Sequence, residues 1–151
     1  MKINVGCGRA PKKGWINTDW TQKKKTLEDF PEIEYMDVTK TWPYKDNMFD
    51  FAFSEHLIEH LEEPDGFFML QEAYRILNDE GVVRIVCPDR DFLENLNDDS
   101  HPFVVNYCRN ILNRQPFNGS ARFIALRTLN EQGHVWVPNI DELISQVTRA
   151  G

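Results

Sequence analysis

Apolar residues gather along the chain in short runs of strand length, separated by stretches in which they recur at helical spacing. Ile3-Asn4-Val5 opens the series, and Gly6-Cys7-Gly8 breaks it, since glycine adopts backbone angles closed to other residues. Trp15-Ile16-Asn17-Thr18 ends on Asp19 and Glu34-Tyr35-Met36 leads to Asp37, so two strand-like segments each finish on a carboxylate. Phe49-Asp50-Phe51-Ala52-Phe53 and Val82 to Cys87 read as buried strands, the second ended by Pro88. Between them a helical pattern opens at Ser54-Glu55 and runs through His60 and Leu61. After Pro64 a further helix carries Phe67, Phe68, Leu70, Ala73, Tyr74 and Leu77, and Asn78-Asp79-Glu80-Gly81 closes it. Phe49, Phe51, Phe53, Phe67 and Phe68 are expected in the core.

From Asp91 to Gln132 the pattern is helical but irregular, with Phe103, Val104, Tyr107, Ile111 and Leu112 interrupted by polar clusters at residues 97–100 and 118–120. It reads as an insertion over the sheet. A last helix takes Leu143, Ile144 and Val147 as its apolar stripe and Asn139 as its cap. Strands alternating with helical segments predict an α/β fold, a doubly wound, mainly parallel sheet with helices on both faces. A chain of 151 residues suits a single domain spanning 1–151.

Charge narrows the choice of partner. The net charge of −7 argues against a nucleic-acid groove, which needs clustered Lys and Arg, and the one basic run, Lys23-Lys24-Lys25, reads as a solvated loop. The three cysteines are widely spaced and lack a CxxC pair, so neither a disulfide framework nor a cysteine zinc site is expected. No apolar run approaches the roughly 20 residues needed to cross a bilayer, and the N-terminus lacks the pattern of a signal peptide. The expectation is a cytoplasmic protein with no membrane partner.

Two glycines at the carboxyl end of a first strand lie where doubly wound sheets bind ligands. An acid at the tip of the next strand is placed to accept hydrogen bonds from both hydroxyls of a ribose, which gives Asp19 that role. Asp37, at the end of the third segment, fits the adjacent adenine end. Together these residues outline an adenosine-shaped slot.

These motifs, with Gly14-Trp15-Ile16-Asn17-Thr18-Asp19, Glu59-His60-Leu61 and Glu72-Ala73-Tyr74-Arg75-Ile76-Leu77, resemble the small class I S-adenosylmethionine-dependent methyltransferases, whose fold is Rossmann-like. The resemblance covers about the first 90 residues and resumes at His134. It implies S-adenosylmethionine as cofactor, with Gly6, Cys7 and Gly8 near its methionine part, Asp19 on the ribose, Asp37 and Val38 by the adenine, and Ser54 and Glu55 toward the methyl group. It further implies a cofactor half at 1–90, a helical substrate side at 91–133 and a closing segment at 134–151. Trp20 is a candidate wall of the slot. The acceptor is expected to be a small molecule or a saccharide.

Three departures accompany the resemblance. Asn4 stands where the family usually has an acid, which leaves an amide to meet the methionine ammonium. Ala10 replaces a third glycine, and residues 9–13 are too few for the usual first helix. The antiparallel strand pair that normally ends this fold is expected to be missing, which would leave Val82 to Cys87 as a sheet edge open to homodimerisation.

His56 is the candidate catalytic base for a hydroxyl acceptor, and His60 and His134 are candidates for the substrate side. His56-Leu57-Ile58-Glu59-His60 also matches the H-x-x-E-H pattern of zinc peptidases, for which Glu131 would be the downstream ligand. The methyltransferase reading accounts for the same segment, so no metal site is expected. Two further alternatives are a non-catalytic S-adenosylmethionine-binding module and, with poorer glycine spacing, an adenine-dinucleotide oxidoreductase.

Overall fold

The computed structural model describes residues 1–20, 32–130 and 133–151. Five strands, β1 (Lys2–Val5), β2 (Ile16–Asp19), β3 (Ile33–Tyr35), β4 (Phe49–Glu55) and β5 (Leu77–Val86), form one sheet in the order β3-β2-β1-β4-β5. Every pairing is parallel. The helices are α1 (Glu63–Ile76), α2 (Arg90–Glu94), α3 (Pro102–Asn110), α4 (Ser120–Asn130) and α5 (Ile140–Ala150). The architecture is the expected α/β, Rossmann-like one. Strand order reverses between β1 and β4, and the carboxyl ends of such a pair are where open α/β sheets take their ligands.

Register decides which side chains enter the core. Ile3 pairs with Ile16 and Ala52, and Val5 with Thr18 and Ser54, which puts these residues on one face of the sheet. That face packs against Met69, Leu70, Ala73 and Ile76 of α1 and against Leu143 and Val147 of α5. Helix α1 approaches closely because residue 66 is glycine: a Cβ there would lie 3.3 Å from the Ile58 side chain. On the opposite face, Trp15 packs edge-on against Phe51 and the Lys12 ammonium lies 4.4 Å from the centre of the Phe53 ring. Phe49 is fully buried, whereas Phe51, Phe53, Phe67 and Phe68 are only half-buried, which corrects their assignment to the core.

Three expected elements differ. The segment from Ser54 to Leu61 is not a helix: Ser54 and Glu55 pair with Ile85 and Val86, His56 N–H donates to the Val86 carbonyl, and only a 3₁₀ turn at Ile58–His60 follows. Helix α1 stops at Ile76, and the stop cluster at residues 78–81 lies within β5, where the ladder jumps from Phe49–Leu77 to Phe51–Val82. Those four residues form a bulge. Tyr74 is exposed, because the buried stripe of α1 runs through Gly66, Met69, Leu70, Ala73 and Ile76.

Helices α3 and α4 build a second small core from Val104, Cys108, Ala121 and Ile124, joined by Leu96. Asp99 fixes it, accepting hydrogen bonds from Gly119 N–H and Ala121 N–H at 2.8 Å each, at the start of α4. Asn139 caps α5 as expected, its side chain accepting from Glu142 N–H while the Glu142 carboxylate accepts from Asn139 N–H. Arg90 of α2 reaches Glu142 at 2.6 Å and so ties the helical region to α5. Among the described residues no helix is long and apolar enough to cross a membrane.

Candidate active site

The glycine loop is held by its neighbours as much as by its own glycines. Cys7 N–H donates to the Thr18 carbonyl and Ala10 N–H to the Cys7 carbonyl, both at 2.9 Å, and no helix forms before β2. Gly6 has φ +68, and a Cβ there would sit 2.7 Å from Leu57 Cδ2, so residue 6 is glycine for both backbone and space. Gly8 also has positive φ but faces open space, and its N–H donates to Asp19 Oδ2 at 2.7 Å. One oxygen of Asp19 therefore locks the loop. Cys7 contributes its backbone: burial pushes its thiol up to about 11, with the Asp19 charge adding to the effect, so it stays protonated.

Asn4 is buried, and its amide donates to Asn17 Oδ1 at 3.1 Å and the Ala10 carbonyl at 3.3 Å. Asn17 in turn clasps both backbone groups of Lys12. This asparagine pair holds the short connection in the place of a first helix. Asp37 forms a turn of its own, accepting from Thr39 N–H and Oγ1, hydrogen bonds that hold its carboxyl below the usual range. Val38 is buried, and its carbonyl accepts from the Trp42 indole at 3.3 Å. Trp20 is exposed beside Asp19, Glu55 is exposed at the tip of β4, and the buried Ser54 hydroxyl has no hydrogen-bond partner among the described residues. Two glycines with left-handed backbone, a carboxylate fixed beside them and an unpaired hydroxyl on the adjoining strand suit an adenosine-bearing cofactor.

Beyond β4 the chain turns sharply, with His56 at φ +53. The two histidines of the H-x-x-E-H motif thus do not occupy successive turns of one helix, which removes the peptidase arrangement; Glu131, its further ligand, lies outside the described residues. Instead Glu59, completely buried, organises the segment. His56 Nδ1 lies 2.9 Å from Glu59 Oε1, and His134 Nε2 lies 4.0 Å from the same oxygen. The Glu59 carbonyl accepts from Val135 N–H at 2.7 Å and Trp136 N–H at 3.3 Å, which fastens the segment after α4 to the turn after β4. His60 and His134 stack edge to face at 4.8 Å, and burial lowers the His134 pKa, favouring the neutral ring.

His56 and His134 line a cavity of about 620 Å³ with Cys87, Phe92, Phe103, Tyr107, Arg127 and neighbouring side chains. The sequence pattern missed these wall residues, because apolar positions on α2 and α3 look alike whether they face a core or a cavity. The Cys87 thiol is raised to about 11 by burial, with Glu59 and Asp89 adding to it, so it is a wall and not a nucleophile.

Strand order and the glycine loop define a fold of the Rossmann-like class. Residues 13–85, just under half of the chain, match the family model described as a methyltransferase domain, and the fold is that of the class I S-adenosylmethionine-dependent methyltransferases. The family implies S-adenosylmethionine as cosubstrate. One similar structure is an S-adenosylmethionine-dependent methyltransferase from Thermotoga maritima, described as a possible histamine N-methyltransferase: TM-score 0.64, 21% identity, 99% of this chain and 62% of that one. Another is the YcgJ protein of Bacillus subtilis, with TM-score 0.60, 13% identity, and coverage of 99% and 60%. The chain thus spans about three fifths of the length of these structures. No curated protein matches it.

Proposed function

We propose that this chain transfers a methyl group from S-adenosylmethionine to a small-molecule or saccharide acceptor bound in the cavity beside His56, in the cytoplasm. The observation that carries this reading is adjacency. Val5 pairs with Ser54, so the glycine loop after β1 and the His56 turn after β4 flank one crevice, with the cavity opening beside it. Cytoplasmic placement is supported by three free cysteines, two of them buried.

When bound, S-adenosylmethionine would supply an activated methyl group on a sulfonium, the sulfur being the leaving group for an acceptor lone pair. The chain's own contribution begins with Asp19, which would hold the ribose, and with the loop of Gly6, Cys7 and Gly8, which would lie along the methionine part. The buried Glu59 carboxylate accepts a hydrogen bond from His56 Nδ1–H, which leaves Nε2 as the basic nitrogen to take the acceptor's proton. The aromatic walls Phe92, Phe103 and Tyr107 restrict water and align the nucleophile.

Transfer of labelled methyl groups to a panel of small hydroxyl and amino acceptors, sugars included, tests the proposal. On an accepted hydroxyl substrate, His56→Ala is expected to lower kcat by about 100-fold, within the range for a positioned general base, with the KM for S-adenosylmethionine unchanged. Undiminished kcat would remove His56 from catalysis. A cofactor-binding module without turnover is the second reading, favoured by the Asn4 amide being spent on the loop; saturable cofactor binding with no transfer to any acceptor would support it.

The same proposal extends to assembly. Strand β5 is one of the two edges of the sheet among the described strands, β3 being the other, and Val82 on it is exposed. Two chains paired along β5 are expected to give a dimer mass in light scattering, and a monomer at high concentration would count against this pairing.

A further inference from the structure

We propose that Glu59, His60 and His134 form a binding site for a divalent first-row transition cation beside the His56 cavity, which His134 also lines. One ligand atom from each lies within 4.8 Å of the other two. Two imidazoles and a carboxylate are a donor set of catalytic zinc sites and of the facial triads that hold iron, and nitrogen donors favour such ions over magnesium or calcium.

The surroundings are arranged as a metal site requires. His60 Nδ1 lies 3.0 Å from the Gly133 carbonyl, an acceptor that fixes the proton on Nδ1 and leaves Nε2 with a free lone pair. Glu59 has no exposed surface; His56 binds its Oε1, and its Oε2 is buried without a hydrogen-bond partner among the described residues. An unpaired carboxylate oxygen in the interior is costly, and a cation would satisfy it. The two hydrogen bonds to the Glu59 carbonyl set His134 in register with this carboxylate although the residues are far apart in sequence. Metal–ligand bonds of about 2.0–2.2 Å bring neighbouring ligand atoms to about 3.0–3.5 Å, so loading draws the three groups together by about 1 Å. The exposed His60 ring has room for that movement. Because His134 also lines the cavity, a bound cation would have an open position for an acceptor oxygen.

The test uses the full chain, stripped with chelator and without S-adenosylmethionine, so its outcome is independent of methyl transfer. Zn²⁺ is titrated by calorimetry and Co²⁺ by visible absorption. The expected result is saturation at one ion per chain, with affinity reduced at least about 10-fold in both His60→Ala and His134→Ala. His60 is exposed, so its variant is expected to keep the wild-type circular dichroism and melting temperature, and the loss is then one of ligation. Absence of saturable binding of either ion by the intact chain overturns the proposal, as does binding unchanged in both variants.

Discussion

Replacing Arg75 with alanine is expected to destabilise the chain by about 2–4 kcal/mol, less than a fully buried ion pair would lose because the guanidinium is partly exposed. Its Nε and Nη2 donate to both oxygens of Glu72, at 2.8 and 2.6 Å, while Nη1 and Nη2 reach the Tyr44 and Trp42 carbonyls and Asp46. Glu72 is buried and also accepts from Trp42 N–H at 2.7 Å. One ion pair on α1 thus fastens the whole loop from Trp42 to Asp46, and alanine leaves a buried carboxylate uncompensated. The melting temperature should fall by roughly 5–15 °C, which thermal unfolding would show. The effect depends on pH in a defined direction. The Arg75 hydrogen bonds hold the Glu72 carboxyl below its ordinary value of 4.5, so the stabilisation is complete above that pH and is lost as pH falls through the lowered value. The variant should therefore show a shallower acid limb than the parent, and equal limbs would refute the assignment.

Asp19→Ala is expected to weaken S-adenosylmethionine binding by at least about 100-fold, the consequence of losing two charge-assisted hydrogen bonds to a ribose. The substitution acts twice, because Asp19 Oδ2 also holds Gly8 N–H and with it the loop that approaches the cofactor. Asp19→Asn keeps an acceptor for Gly8 and should lose less. Calorimetry on the two variants separates loop anchoring from ribose recognition.

The parts of this protein that were legible in its sequence are those decided within a few residues. Strands β1, β2 and β4 follow from dense apolar runs closed by glycine or aspartate, and the asparagine cap of α5 from a four-residue box. The errors came where pairing overrode local pattern. Leu57, Ile58 and Leu61 have helical spacing, yet the ladder between β4 and β5 keeps the backbone extended through Glu55. Asn78 to Gly81 carries every mark of a helix stop, but these residues protrude as a bulge from a strand that has already begun. In the site, the glycine loop and Asp19 could be read from spacing. The duty of Asn4 could not, since its partner Asn17 arrives through the sheet register, and neither could the meeting of Glu59 with His134, which depends on how the helical region returns to the sheet.

S-adenosylmethionine is expected to bind in the crevice at the carboxyl ends of β1 and β4, with Asp19 at the tip of β2 beside it. Calorimetric titration of the intact chain with S-adenosylmethionine and S-adenosylhomocysteine tests it directly. Saturable binding of both at one site, lost in Asp19→Ala, is the expected result; no heat of binding from either ligand to a folded chain would contradict it.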